Sequence, residues 1–268
     1  MDDRKYTVAL CQMIVTDDKD QNIILAQQIV RKAASAGAQV ICLPEIWNAP
    51  YDMGRMHNYT EPSDGATAYY MSELAKENHV YLIGGSIPEK DSLNRFNTSL
   101  VFDPVGNCIA KHRKVHLFDV DVEGGPYYKE SDVFRAGNSI TVFDTEFGKM
   151  GLAICFDVRF PQMFKEMADQ GCHLIFLPAS FTETTGAAHW ETLVRSRALD
   201  NQLYVAACAT ANNPDAKFKS WGHSIVTTPW GDYIGNATEK ETIVYAEIDP
   251  DYCNKIRSEI PIGNAPAL

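Results

Sequence analysis

The sequence repeats itself once. GAQVICLPE at 37–45 aligns with GCHLIFLPA at 171–179, and HVYLIGGS at 79–86 aligns with QLYVAACA at 202–209. NTSLVFDPVGNCI at 97–109 aligns with GHSIVTTPWGDYI at 222–234, setting Ser99 against Ser224, Pro104 against Pro229 and Gly106 against Gly231. At the front of the halves, VALCQ at 8–12 resembles LAICF at 152–156. Each half therefore reads strand, helix, strand, helix, strand and then a hairpin, with the P-x-G tripeptides as tight turns. Two such units predict two sheets packed face to face with helices outside. The expected fold is α/β: a four-layer α-β-β-α sandwich with an internal pseudo-two-fold, in one domain spanning 1–268. The alternative is chance similarity among α/β units. The period is too long for a solenoid.

Periodicity supplies the elements. Short, apolar, β-branched runs predict strands at 6–12, 38–43, 80–85, 97–103, 150–155, 172–177, 203–209 and 222–228. A helix fits 21–35, where Ile23, Ala26, Ile29, Val30 and Ala33 recur at helical spacing before Gly37. Residues 160–170 repeat the pattern with Phe160, Met163, Phe164, Met167 and Ala168 before Gly171. A third helix fits 187–201, with Trp190, Leu193, Val194 and Ala198 on one side. The stretch 110–149 has no counterpart in the other half. It holds KHRKVHLFDVDVEGGPYYKES, dense in charge and aromatics, and loops on a rigid frame often carry function.

Composition excludes several classes. With 45% apolar and 22% charged residues in 268, the chain can bury a sizeable core. Lys plus Arg number 24 against 35 Asp plus Glu, a net charge of −11, which argues against a nucleic-acid partner. No apolar run approaches the ~18 residues that span a bilayer, so no membrane partner is expected. The opening MDDRKYTVALCQM has no apolar stretch of secretory length. The seven cysteines are odd in number and contain no C-x-x-C. That pattern disfavours disulfides and zinc and fits a reducing, cytoplasmic setting. The seven histidines show no metal-ligand spacing, and neither G-x-G-x-x-G, a P-loop nor G-x-S-x-G occurs. No metal and no cofactor is expected.

Four residues stand out as candidates for chemistry. Cys155 ends an apolar strand and is followed by FDVRFP and a helix. That turn lifts a side chain to the rim of a sheet, where backbone N–H groups can receive an oxyanion. The competing reading is a buried, inert cysteine. Cys11 holds the matching place in the first half but lacks the following motif. Glu45 closes the run VICLPE, where a buried carboxylate needs a partner or a task. Its repeat counterpart is Ala179, so the fold does not require an acid there; a cap is the alternative. Lys114 lies in KHRKVHL. If that run is extended, Lys111 and Arg113 face one way and His112 and Lys114 the other. Glu130, in YYKES, lies in the unmatched stretch and could equally be surface charge.

Taken in order, these segments resemble the nitrilase superfamily of carbon–nitrogen hydrolases across nearly the whole chain. LPEIWNAPYD is similar to its Glu motif, HRKVHLF to its Lys motif, YYKES to its second-Glu motif and GLAICFDVRFP to its Cys motif. TTGAAHWETLVRSRALDNQLYVA and WGHSIVTTPWG are similar to the omega-amidase branch. The resemblance implies an α-β-β-α sandwich that assembles as a homodimer or higher homo-oligomer. It implies Cys155 as nucleophile, Glu45 as general base and Lys114 as oxyanion stabiliser. Glu130 would position the substrate or the lysine, and the Phe156 backbone N–H would be the second oxyanion donor. Burial should raise the Glu45 pKa, and the nearby ammonium should lower that of the thiol.

The family's nitrile-hydrolysing members follow the cysteine with Trp-Glu; here Phe156-Asp157 follows, as in its amidases. The omega-amidase branch carries a basic, tyrosine-containing tail after its I-P motif, whereas this sequence reads IPIGNAPAL. The implied activity is hydrolysis of small omega-amides of keto acids, such as 2-oxoglutaramate, to acid and ammonia. The alternatives are an amidase for N-carbamoyl amines or deaminated glutathione, and a non-catalytic binding sandwich. For the substrate carboxylate, Arg159 is the candidate by proximity; an internal ion pair with a residue such as Asp157 competes for it. Tyr51, Phe181 and Thr182 should overhang the pocket and serve shape and hydrogen bonding.

Overall fold

The computed structural model describes residues 5–123 and 127–262. The first half runs β1 (Tyr6–Gln12), α1 (Lys19–Ser35), β2 (Val40–Cys42), α2 (Ala66–Asn78), β3 (Tyr81–Ile83), β4 (Ile87–Asp91), β5 (Asn94–Phe102) and β6 (Cys108–Arg113). A ribbon of β7 (Asp119–Asp121) and β8 (Tyr127–Lys129) follows. The second half runs β9 (Thr141–Thr145), β10 (Gly148–Leu152), α3 (Pro161–Asp169), β11 (Leu174–Ala179), α4 (Glu183–Asn201), β12 (Tyr204–Ala209), β13 (Ile225–Thr227) and β14 (Tyr233–Asn236). β15 (Thr242–Ile248) and α5 (Pro250–Glu259) close the described chain.

Local chemistry sets the element ends. Asp18 caps α1, its Oδ1 accepting from the N–H groups of Asp20 at 2.9 Å and Gln21 at 3.1 Å. The apolar stripe read from the sequence is the buried one: Ile23, Ala26, Ile29, Val30 and Ala33. Gly37 then turns the chain at φ +94°, a conformation that suits glycine.

The strands form two sheets. The first runs β15-β1-β2-β3-β5, with β4 and β6 both paired to β5; the second runs β9-β10-β11-β12-β13-β14. In each, three parallel strands form the centre and antiparallel strands flank them. Apart from β4, which has no counterpart, the strands of the two sheets correspond, and this corrects one expectation. Thr141–Thr145 lies in the stretch that lacked a sequence counterpart, yet β9 stands against β10 as β15 stands against β1. The equivalence is out of chain order. β9 precedes its half and β15 follows the other, so no linear alignment reveals it.

Period-two alternation divides the sheet faces. Val8, Leu10, Val40, Cys42 and Ile83 of the first sheet join Met150, Leu152, Leu174, Phe176 and Ala206 of the second in one buried cluster. The outer face of the first sheet, with Ala9, Cys11, Ile41 and Leu82, packs under α1 and α2. That of the second, with Ile175, Leu177, Val205 and Ala207, packs under α3 and α4. The layers are therefore α-β-β-α. Among the described residues no helix is long and apolar enough to cross a membrane.

Candidate active site

The two sheets deliver their residues to one rim. Glu45 stands just past the end of β2, and Cys155 stands just past the end of β10. The Glu45 turn is pressed against the chain that follows β3. A Cβ on Gly85, at φ +60°, would lie 2.1 Å from the Pro44 carbonyl oxygen, so only glycine fits. Ser86 completes the contact, its Oγ accepting from the Ile46 N–H at 2.9 Å. Ile46 at φ +45° and Cys155 at φ +47° both hold left-handed backbone that such residues rarely adopt. Strain of this kind gathers at functional sites.

Lys114 continues β6, its N–H donating to the Asn97 carbonyl at 2.9 Å. The expected alternation holds. His112 and Lys114 are buried, while Lys111 and Arg113 reach the other way to Glu89. The Lys114 ammonium donates to Glu45 Oε1 at 2.8 Å and to Glu130 Oε2 at 2.8 Å. Glu130 opens a short 3₁₀ turn after β8, and its Oε2 also accepts from the Phe118 N–H at 2.6 Å.

Sequence reasoning missed Asn97, on β5. Its Nδ2 donates to Glu45 Oε1 and to Glu130 Oε1, both at 2.9 Å, so one carboxamide ties the two carboxylates together. The available signal was a polar residue at the inner end of an apolar strand, where the repeat places Gly222.

Glu45, Lys114, Glu130 and Asn97 are all buried. Burial raises the Glu45 pKa; Lys114 opposes that rise and Glu130 adds to it. For Lys114, burial acts downward, but Glu130 and Glu45 outweigh it and hold the ammonium well above its ordinary value. The second oxygen of Glu45, Oε2, is buried with no well-aligned donor among the described residues. The Cys155 thiol interacts directly with the Glu45 side chain and receives the Ser180 N–H. Burial holds the thiol pKa well above its ordinary value, although the expected lowering by Lys114 is present. The Glu45 charge raises it further.

Cys155 begins a 3₁₀ turn, Cys155–Arg159, whose first hydrogen bond runs from the Asp157 N–H to the Ile154 carbonyl at 3.0 Å. The Phe156 N–H precedes that bond. Asp157 is buried and fastens the turn to the lysine strand. It accepts from the Ile154 N–H at 3.0 Å and the His116 N–H at 2.9 Å, and it contacts His116 Nδ1 at 2.8 Å and His112 Nε2 at 3.4 Å. Burial would raise the Asp157 pKa, yet both histidines hold it well below the usual carboxylate range.

The ion pair expected for Arg159 is therefore absent, because Asp157 is committed to the histidines. Among the described residues Arg159 has no carboxylate partner. Its Nη2 lies 3.2 Å from His189 Nδ1, its Nε is buried and unpaired, and Phe156 and Phe181 flank it at 5.4 and 5.5 Å. Burial lowers its pKa, and Cys155 is an electrostatic neighbour. Thr182 is committed elsewhere: it caps α4, its Oγ1 accepting from the Thr185 N–H at 3.2 Å. A cavity of about 470 Å³ opens onto Glu45, Tyr51, Ser180, Thr210 and Phe218; Arg159, Phe181 and Thr182 are not on its wall. Among the described residues no group of three or more His, Cys, Asp or Glu is arranged to hold a metal ion.

The sequence pattern of the carbon-nitrogen hydrolase family matches residues 7–258. The chain is 45% identical to omega-amidase NIT2-B of Xenopus laevis over 258 residues, covering 96% of this chain and 94% of that protein. It is 43% identical to the human omega-amidase NIT2 over 257 residues, covering 96% and 93%. The crystal structure of Saccharomyces cerevisiae Nit3, a member of branch 10 of the nitrilase superfamily, superposes with a TM-score of 0.90 at 36% identity, covering 97% of this chain and 95% of that one.

Proposed function

The chain belongs to the carbon–nitrogen hydrolase family, and on that premise we propose that it hydrolyses small omega-amides of keto acids, 2-oxoglutaramate among them, to acid and ammonia. It does so as a single domain, through a thioester on Cys155. One observation carries the reading: Lys114 is held between Glu45 and Glu130, and the Glu45 side chain also acts directly on the Cys155 thiol. A binding module has no use for three buried charges and a strained thiol, each of which costs stability.

The chemistry follows from the protonation states. The thiol is neutral at rest, so its proton passes to Glu45 as Sγ bonds to the amide carbon and the carbonyl π electrons move to oxygen. Lys114 spends two N–H bonds on the carboxylates and keeps the third for that oxyanion, joined by the Phe156 N–H. When the intermediate collapses, the C–N bond breaks and Glu45 returns the proton to the departing nitrogen, releasing ammonia. Water then attacks the thioester, its proton passing to Glu45. The C–S bond breaks, and the thiolate is reprotonated as the acid leaves. Asn97 and Glu130 hold the base and the cation in register throughout.

Arg159 takes the substrate carboxylate. A partly desolvated guanidinium with no anion of its own, next to the nucleophile, suits that role. Lys217, on the cavity wall, is the rival cation, but it is almost fully exposed and is weakened by solvent. Seven free thiols, six of them buried, support a reducing cytoplasmic setting. The exposed Leu199, Trp230 and Ile234 support self-association as a homodimer or larger assembly.

The test compares kcat/KM for 2-oxoglutaramate, glutamine, an N-carbamoyl amino acid and a matched nitrile. We expect 2-oxoglutaramate to lead and the nitrile to trail by at least ~10²-fold. A leading carbamoyl compound would keep the family and overturn the substrate, and a leading nitrile would overturn the chemistry. Arg159→Gln should raise KM for 2-oxoglutaramate at least ~10-fold. If Lys217→Gln does so instead, the carboxylate lies at the cavity mouth.

A further inference from the structure

Tyr51 is half-buried on the wall of the cavity that opens onto Glu45, yet its hydroxyl oxygen is buried and has no hydrogen-bond partner among the described residues. Its ring is fixed from two sides, by Phe218 at 4.5 Å and by Tyr128 at 6.3 Å, so the oxygen is held in place by packing. A buried, unpaired hydroxyl is costly, and native structures rarely keep one without a use. Glu130, Lys114, Glu45 and Cys155 all act electrostatically on this phenol, and Tyr51 in turn acts on Lys114. Tyr51 and Glu45 line the same cavity, so the phenol faces the space that an amide bound beside Glu45 would fill. Burial and the nearby carboxylates raise its pKa well above the ordinary phenol value, so it keeps its proton and can act as a donor.

Among the described residues the unspent side-chain capacity around the thiol includes Glu45 Oε2 and Asn97 Oδ1 as acceptors, and as donors the third Lys114 N–H, the Tyr51 O–H and Arg159 Nε, the last already given to the substrate's carboxylate. A primary amide is the complement: a nitrogen that donates and an oxygen that, once it is an oxyanion, has three lone pairs for Lys114, the Phe156 N–H and Tyr51. We propose that the Tyr51 hydroxyl donates to the oxygen of the scissile amide and holds it as it becomes the oxyanion, beside Lys114. This rests on the amidase reading above. The phenol gives up no proton; its hydrogen bond shortens as charge builds on the substrate oxygen.

The test uses Tyr51→Phe, which keeps the ring and removes the oxygen. With 2-oxoglutaramate, kcat should fall about 10²-fold and KM should stay within about twofold. Tm should stay level or rise, because the variant loses an unpaired buried oxygen. A second measurement is independent of turnover. The aldehyde 5-oxopentanoate should add to Cys155, its S–C bond forming as the carbonyl oxygen becomes an alkoxide or hydroxyl. Tyr51→Phe should weaken that binding at least ~10-fold while leaving binding of the unreactive diacid glutarate unchanged. Unchanged kcat and aldehyde affinity would overturn the proposal. A rise in KM alone, with glutarate weakened equally, would also overturn it and assign the hydroxyl to the substrate's tail. A wild type that neither hydrolyses the amide nor binds the aldehyde would overturn the amidase reading itself. A wild type active on the amide with an equally active Tyr51→Phe would overturn only this inference.

Discussion

Asp157 Oδ1 accepts the His116 backbone N–H at 2.9 Å and lies 2.8 Å from the ring Nδ1 of the same residue. Asp157 is two residues past Cys155, and His116 is two past Lys114. The pair thus couples the Cys155 turn to the Lys114 strand across the two sheets, and His116 is stacked on Phe160 at 3.4 Å. Asp157→Asn keeps the shape but removes the charge that both histidines face. We expect kcat to fall about 10-fold as the thiol loses its alignment, and Tm to fall by about 5 °C. Steady-state kinetics and calorimetry check both; an unchanged kcat would show that the turn holds without the pair.

Adjacent residues of β6 and its extension separate chemistry from scaffolding. Lys114→Met and Glu45→Gln should each lower kcat at least ~10²-fold with the fold retained. Arg113→Met should cost kcat less than about threefold, because its guanidinium faces the other way, onto Glu89 at 2.7 and 2.8 Å. Equal losses for the two cations would mean that the wrong residue of the run holds the oxyanion.

Alkylation should distinguish the thiols. Cys108 is exposed and Cys155 nearly sealed, so iodoacetamide will label both, while activity should be lost only in step with Cys155. Because the Cys155 pKa lies well above the ordinary value, its thiolate fraction climbs as pH rises. Inactivation should therefore accelerate steadily from pH 7 to pH 10. Peptide mapping across that range checks both points, and a rate that levels off near pH 7 would contradict the neutral resting thiol.

Glu89 makes stability depend on pH. Burial alone would raise its pKa, but hydrogen bonds from Arg113, Lys111 and Thr98 hold it at about 2. An unfolded glutamate titrates near ~4.3. The folded state therefore favours the charged form, and the stabilisation is complete above the unfolded value and lost as pH falls toward the folded one. Glu89→Gln should lower Tm at pH 7, with the gap to wild type narrowing between pH ~5 and pH ~2. A gap that stays constant across that range would exclude the charge as its source.

What could be read from the sequence follows a physical line. Cys155 and Glu45 were legible because each ends an apolar strand, where a reactive or charged side chain is anomalous. Lys114 followed from strand alternation once its run was taken as extended. Asn97 was not legible, because a neutral amide in a strand signals nothing until the carboxylates it bridges are brought together by residues far along the chain. Arg159 was legible as a cation, but its freedom from an acid partner depended on His112 and His116 having already claimed Asp157. The equivalence of β9 and β15 was hidden for a topological reason, since sequence comparison keeps chain order and sheets do not.

The pairing of β15 with β1 bears on how the chain is made. β1 leaves the ribosome long before β15, the strand that covers its outer edge from the register Tyr6↔Ile248 to Gln12↔Thr242. Until β15 has been synthesised, the first sheet carries an uncovered row of backbone donors and acceptors, the kind of edge that recruits a stranger's strand. The first sheet must therefore wait for a strand made after the whole of the second before its edge is closed, and a chain cut short before Thr242 would be left with a sticky flank.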